Sequence, residues 1–397
     1  MLIEFDHDAR DLLKNWNTGF SLWRLSDEQR FVNTEFAVVL VASEGLTMDF
    51  GIALFSNVDA WKTVKRAEEL GFSHAWFYDS QLLAPDIFIS MALAAEHSSK
   101  IKLASGVVIP TNRIAPVCAD AFATLNKLAP GRIIFGVGTG FTGRNTMGMG
   151  PMKLSAMREY IRVVYGLLKG ETIEWEFEGE RKKIRFLNPE FGMINISDKI
   201  PLHVSAFAPK ARKLAAELAD GWLTFSASID RASHETAEMA KACREVGRDP
   251  QTLYTTAFAL GCVLKSGESP VSPRAKAQAG PMAVVTLHGM IEQSLADLLP
   301  PFIEKLAGAY REQHATYQPA DAKYLQMHKM HLLGVRPEED KFLTEDLMRE
   351  TTFTATEDVL RDRLRALKGA GYNQFVVQLV PGHEDAIEDW ARLFAKV

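Results

Sequence analysis

Two kinds of segment alternate along most of this chain. One is an amphipathic stretch with apolar residues at helical spacing; the other is a short run that is apolar almost throughout. Between Asp59 and Leu70, the residues Ala60, Val64, Ala67 and Leu70 share one helical face. That stretch stops at Gly71, and the run Ala75-Trp76-Phe77-Tyr78 follows. The junction recurs as Pro130-Gly131 before Ile133, as Asp220-Gly221 before Trp222, and as Gly371-Tyr372 before Phe375. Glycine just past a helix takes up the left-handed conformation that ends it.

Runs that do not alternate in polarity belong to strands covered on both faces, as in parallel sheets flanked by helices. Eight such runs are expected, at 50–55, 74–79, 101–109, 132–138, 202–207, 222–226, 253–264 and 374–380. Helical patterns separate them at 59–70, 85–98, 116–128, 151–169, 209–219, 230–246 and 356–369, with a last one at 383–396. The fold class is therefore α/β. A closed (β/α)8 TIM barrel is the economical architecture, because closure removes both sheet edges; an open doubly wound sheet accommodates eight similar strands less readily. Insertions are expected after strands four and seven. Residues 171–200 read as a hairpin or long loop and 266–350 as a larger, partly helical excursion, both on the βα side where active-site loops belong. Barrel grammar begins at Met48, which sets residues 1–47 apart as an N-terminal extension to a barrel domain spanning 48–397.

Composition narrows the class. The formal net charge of −5 argues against nucleic acid as a partner. No apolar stretch has the length of a membrane span. The apolar run 36–42 lacks the basic flank of a signal peptide. Cys118, Cys243 and Cys262 are widely spaced and odd in number, which suits a reducing cytoplasm rather than a disulfide framework.

Three clusters carry candidate chemistry. Gly136-Val137-Gly138-Thr139-Gly140 ends the fourth strand, where glycines allow close backbone approach to a flat or phosphorylated ligand. A nicotinamide fingerprint would need a helix opening within the glycines and an acidic residue about 20 positions on, and a polar loop follows instead. Ser105-Gly106-Val107-Val108-Ile109-Pro110-Thr111-Asn112-Arg113 ends the third strand with a glycine that marks a bulge or a ligand contact. Ser205-Ala206-Phe207-Ala208-Pro209-Lys210 ends the fifth, and small residues before a helix N-terminus make a phosphate cradle. Asp79 ends the second strand, where a carboxylate orients a ring, handles a proton or caps the next turn. His203 reads as a core histidine, and Met147-Gly148-Met149-Gly150 as a loop whose methionines cover apolar surface. His328 and His331 lie three apart without a partner carboxylate at metal-ligand spacing, so no metal is expected.

Taken in order, WFYDSQ at 76–81, SGVVIPTNR at 105–113, ATLNKLAPGRIIFGVGTG at 123–140 and SAFAPKA at 205–211 resemble the bacterial-luciferase-like superfamily of flavin- and deazaflavin-dependent oxidoreductases. The likeness is to its methylenetetrahydromethanopterin reductase-like members and to deazaflavin glucose-6-phosphate dehydrogenases, over residues 48–265 and 350–397. The resemblance implies a non-prolyl cis peptide between Gly106 and Val107 behind the flavin ring. It also implies ring contacts near Gly138, Thr139 and Gly140, and a phosphate held by the loop Ser205, Ala206, Phe207 and Ala208. Asp79, Asn112 and Arg144 are the polar groups expected near the chemistry, with Phe141 and the large insertion shaping an apolar pocket. Ser80 and Phe141 stand where the sugar-phosphate dehydrogenases carry His and Glu, which disfavours a sugar phosphate. The first expectation is FMN-dependent, reduced-flavin and O₂ monooxygenation of a small organic substrate, with a separate flavin reductase as partner. The alternative is hydride transfer by coenzyme F-420, and a third is a non-catalytic flavin-binding protein. The resemblance further implies a homo-oligomer.

Overall fold

The computed structural model describes residues 48–225, 228–292 and 301–397. The extension expected at 1–47 lies outside them. Twelve strands are present among the described residues: β1 Asp49–Phe55, β2 His74–Tyr78, β3 Lys102–Ser105, β4 Ile133–Val137, β5 Ile173–Phe177, β6 Glu180–Ile184, β7 Leu202–Ser205, β8 Gly221–Phe225, β9 Tyr254–Ala259, β10 Val263–Leu264, β11 Ala355–Thr356 and β12 Gln374–Gln378. The helices are α1 Ala60–Glu69, α2 Ile87–His97, α3 Ala115–Leu128, α4 Phe141–Asn145, α5 Leu154–Leu168, α6 Pro209–Leu218, α7 Ile229–Glu245, α8 Pro273–Ile291, α9 Pro301–Ala315, α10 Tyr324–Met327, α11 Glu345–Thr351, α12 Glu357–Gly369 and α13 Ala386–Phe394.

Eight strands close into a parallel barrel in the order β1, β12, β9, β8, β7, β4, β3, β2, as the apolar runs predict. Ile52 pairs with Val377 on one side and Ala75 on the other, which joins the first strand to the last. Two apolar layers result. Outside the sheet, residues such as Phe122, Phe135, Leu364 and Trp390 pack between strands and helices. Inside, Trp76, Leu223, Phe258 and Val376 fill the axis. Below them His203 is buried with its ring 5.6 Å from Trp76, which bears out the reading of a core histidine. No helix among the described residues is long and apolar enough to cross a membrane.

Three boundaries differ from the pattern. Strand three ends at Ser105 rather than 109, because the chain bulges there before bridging again from Val108 to Val137. The run at 253–264 is two strands: β9 in the barrel, then β10, which leaves it to pair in parallel with β11. These two short strands are the neck of the large insertion. The excursion at 171–200 holds the antiparallel hairpin β5–β6. It follows strand four, but only after α5 has carried the chain back down the barrel, so it lies on the αβ side and not the βα side. Asn126, at the end of α3, donates to the carbonyls of Asn195 and Asp198 at 3.1 and 3.0 Å and anchors the return loop at that face.

Candidate active site at the barrel mouth

The C-terminal ends of β3, β4 and β7 are neighbours in the sheet, and so are their three sequence clusters. The Gly106–Val107 peptide is cis, as the resemblance implies. Hydrogen bonds bracket the bulge: Gly106 N–H donates to Phe77 O at 2.7 Å, Val108 N–H to Gly136 O at 2.8 Å, and Gly138 N–H to Val108 O at 3.2 Å. The Ser105 hydroxyl donates to Gly136 O and accepts from Gly136 N–H, both at 2.8 Å. Strand four must therefore pass close by: a Cβ on Gly136 would lie 1.9 Å from Ser105 O. A Cβ on Gly138 would lie 2.8 Å from Val107 Cγ2 and 3.4 Å from Ser205 Cβ, so this glycine is the contact point of the three clusters. Gly140 opens α4 at φ +81°, a conformation that glycine adopts without the clash of a side chain. Thr139 is half-buried, and its carbonyl accepts from Met152 N–H at 3.0 Å.

At the end of β7 the chain passes through half-buried Ser205 and buried Ala206 to exposed Phe207 and Ala208. Trp222 Nε1 donates to Ala206 O at 2.7 Å and fixes this turn. Helix α6 then starts at Pro209 with Ala208 as its N-cap and no side-chain capping bond. Backbone N–H groups at such an uncapped end suit an anion.

Asp79 is buried at the rim, and its carboxylate is fully engaged. It accepts from Ile109 N–H at 3.1 Å, from Asn112 Nδ2 at 3.2 Å, and from Arg113 Nη1 at 3.0 Å to both oxygens. Arg113 also pairs with Asp86 at 2.5 Å, and its guanidinium lies 4.8 Å from the Phe88 ring centre. Burial alone would lower the Arg113 pKa, but Asp79 and Asp86 outweigh it and raise it. Asn112 reaches Gln81 Oε1 at 2.7 Å, and Gln81 Nε2 reaches Gly143 O at 2.5 Å. Asp79 thus fastens the 109–113 loop to the end of the second strand, and Gln81 carries the link on to Gly143 beyond the fourth. Arg144 braces the same rim through Gly150 O at 2.6 Å and Thr111 Oγ1 at 3.1 Å. Asp79 and Asn112 meet directly; Arg144 joins them only through the loop.

Several participants escaped the sequence reading. Gln378 donates to Leu332 O at 2.9 Å and accepts from Tyr78 OH at 3.0 Å, tying the insertion to the barrel. A glutamine interrupting the apolar run FVVQLV was the available signal. Leu332, Leu333, Met282 and Val285 of the insertion pack with Phe258, Leu260 and Val380 over the axis, which agrees with the expected apolar wall. His328 and His331 are buried and meet His288 of α8, whose partnership over 40 residues no spacing rule reveals. The carboxylates thought missing are Glu292 on His328 at 2.7 Å and Glu339 on His288 at 3.0 Å.

Comparison with known proteins agrees with this geometry. The 5,10-methylenetetrahydromethanopterin reductase of Methanolobus tindarius is 27% identical over 264 residues, 63% of this chain and 78% of that protein. The F-420-dependent glucose-6-phosphate dehydrogenase of Microbacterium testaceum is 28% identical over 176 residues, 40% of this chain; the match spans only half of that relative. The coenzyme F-420-dependent tetrahydromethanopterin reductase of Methanopyrus kandleri superposes with a TM-score of 0.65 at 22% identity, covering 87% of this chain and 98% of that one. The family model described as luciferase-like monooxygenase matches residues 37–374, and the chain belongs to that family.

Proposed function

We propose that this chain is an F-420-dependent oxidoreductase that exchanges hydride with a small, weakly polar organic substrate at the barrel mouth. The observation that carries the reading is the convergence of Val107, Gly138 and Ser205 beside the uncapped start of α6. This cradle fits a flat ring resting on the strand-three bulge with its phosphate against backbone N–H groups. FMN and F-420 share those parts. The choice of F-420, ahead of the FMN expected from the sequence, draws on the dehydrogenase and reductase relatives. When bound, the deazaflavin supplies the hydride acceptor or donor, and the protein supplies position and water exclusion.

Within that scheme Asp79 is a positioning residue, because its carboxylate already holds the backbone of Ile109, Asn112 and Arg113. Leu332 and Leu333 of the insertion pack with Phe258 and Leu260 over the axis, an apolar cover that suits an uncharged substrate better than a sugar phosphate. The test is titration of purified chain with F-420 and with FMN, followed by fluorescence. Micromolar binding of F-420 with at least tenfold weaker FMN is expected. The reverse order moves the assignment to the second reading, FMN-dependent monooxygenation with a flavin reductase as partner, which the family's description favours. Binding of neither removes both.

A further inference from the structure

The large insertion holds a histidine cluster that the cradle does not use. His288, His328 and His331 are all buried. His331 Nδ1 lies 3.3 Å from His288 Nδ1 and 3.2 Å from His328 Nδ1, and the three ligand atoms fall within 4.8 Å of one another. Each far nitrogen has an oxygen partner. His288 Nε2 meets Glu339 Oε1 at 3.0 Å, His328 Nε2 meets Glu292 Oε1 at 2.7 Å, and His331 Nε2 meets Thr142 Oγ1 at 3.3 Å.

These partners decide the tautomers. Glu339 also accepts from Arg336 and from the Tyr310 hydroxyl, the latter at 2.8 Å, so it faces His288 as a carboxylate acceptor among donors. His288 therefore carries its proton on Nε2, and the Glu292 contact does the same for His328. Both rings then present bare Nδ1 lone pairs to the Nδ1 of His331. A single proton there can satisfy one of the two contacts and leaves the other as lone pair against lone pair. A cation removes the conflict. Imidazole nitrogens about 2.0–2.1 Å from one tetrahedral zinc stand about 3.3 Å apart, close to the two separations found. Carboxylates on the far ring nitrogens are the usual support of such ligands, and here Glu339 and Glu292 stand in that position.

We propose that His288, His328 and His331 bind a divalent transition ion of the zinc type through their three Nδ1 atoms. Neutral imidazoles select borderline ions over magnesium or calcium, and the fourth tetrahedral position is left to water. The ion fastens α8 to the 328–331 segment. Through Leu332, whose carbonyl Gln378 holds, and through Thr142 on the strand-four loop, it fixes the roof of the mouth.

The experiment uses the full chain, prepared without chelator or a metal-binding tag. Elemental analysis is expected to find about one zinc per chain. Stripped protein should take up Co2+ with the visible absorption of a nitrogen-ligated tetrahedral ion, and chelation should lower Tm by about 5 °C or more. His328→Gln should abolish the cobalt spectrum. Glu292→Gln keeps all three ligands and should weaken Zn2+ binding about 10–100-fold, which covers the case in which the ligand variant does not fold. Absence of stoichiometric metal together with no cobalt spectrum and an unmoved Tm would overturn the proposal. So would uptake undiminished in the variants.

Discussion

The barrel and the insertion at 265–354 are both well buried, but they are held by different chemistry. The barrel interior is dominated by Trp76, Leu223, Phe258 and Val376, apolar groups that interdigitate without needing particular partners. The insertion has its own apolar core, around Leu287, Ile303, Leu347 and Met348. Against it lies a polar network, in which Glu339 accepts from His288, Tyr310 and Arg336, and Arg336 donates to Tyr317 at 2.6 Å. Apolar cores tolerate exchange among residues of similar volume. A buried ion pair tolerates almost nothing, since removing one partner strands the other. The lid over the mouth is thus the chemically brittle half of the molecule.

The largest predicted effect tests a place where the barrel is equally intolerant. Gly136→Ala puts a methyl 1.9 Å from the Ser105 carbonyl, against backbone that cannot rotate away. Soluble folded protein should be lost, or Tm should fall by well over 10 °C. A near-normal melt would show that strands three and four can separate without cost. Arg336→Met comes next. It leaves the Glu339 carboxylate buried with only His288 and Tyr310 as donors, at an expected cost of about 3–5 kcal/mol. Whether this melts the insertion ahead of the barrel, as two calorimetric transitions, measures how separate the two regions are.

Asp79→Asn is smaller again. It keeps the shape of the rim but turns the Arg113 ion pair into an amide contact, which should cost about 1–3 kcal/mol. Cofactor affinity should fall with the loosened 109–113 loop. A loss of turnover alone, with binding and Tm intact, would instead make Asp79 a proton-handling group. The smallest effect is acid sensitivity of the barrel interior. Burial lowers the His74 pKa to about 3 and that of His203 to about 4, so both stay neutral when folded. The unfolded chain takes up protons below about pH 6.5, hence stability is full above that pH and declines as pH falls towards 4. Between pH 6.5 and 5.5 each histidine should contribute a loss of about 1 kcal/mol. Urea titrations at the two pH values should show a smaller drop for His203→Gln; an equal drop would show that His203 does not contribute.

The same division governs what could be read from the sequence. Every barrel strand was visible, because strand and helix differ in period and left-handed glycine marks the seams at Gly71, Gly131 and Gly371; Gly221 instead opens β8 as extended chain, where a Cβ would strike the His203 ring. The boundaries that failed lie where tertiary pairing ends a strand within an apolar run: the bulge after Ser105, and the departure of Val263 from the barrel. At the mouth, the three loop clusters after strands three, four and five of the barrel were legible because each is continuous in sequence, and their strand ends meet in the structure. The partners of Asp79 were half legible: Asn112 was expected near it, but not Arg113, nor that both close on this carboxylate. Of the His288–His328–His331 cluster only the close pair was visible, since His288 and the two carboxylates are brought to it only by folding.

The neck of the insertion carries a practical consequence for anyone rebuilding this scaffold. Val263 pairs with Ala355, and Leu264 with Thr356, in parallel rather than antiparallel register. Parallel neighbours cannot be joined by a two-residue turn; they need a crossover of about a dozen residues or more. The roof therefore cannot be pared down to a hairpin loop. It is replaceable only as a cassette, by another segment that leaves β10, travels across the mouth and re-enters β11 in the same direction. Grafts from barrels with antiparallel necks should misalign α12, which begins one residue after Thr356.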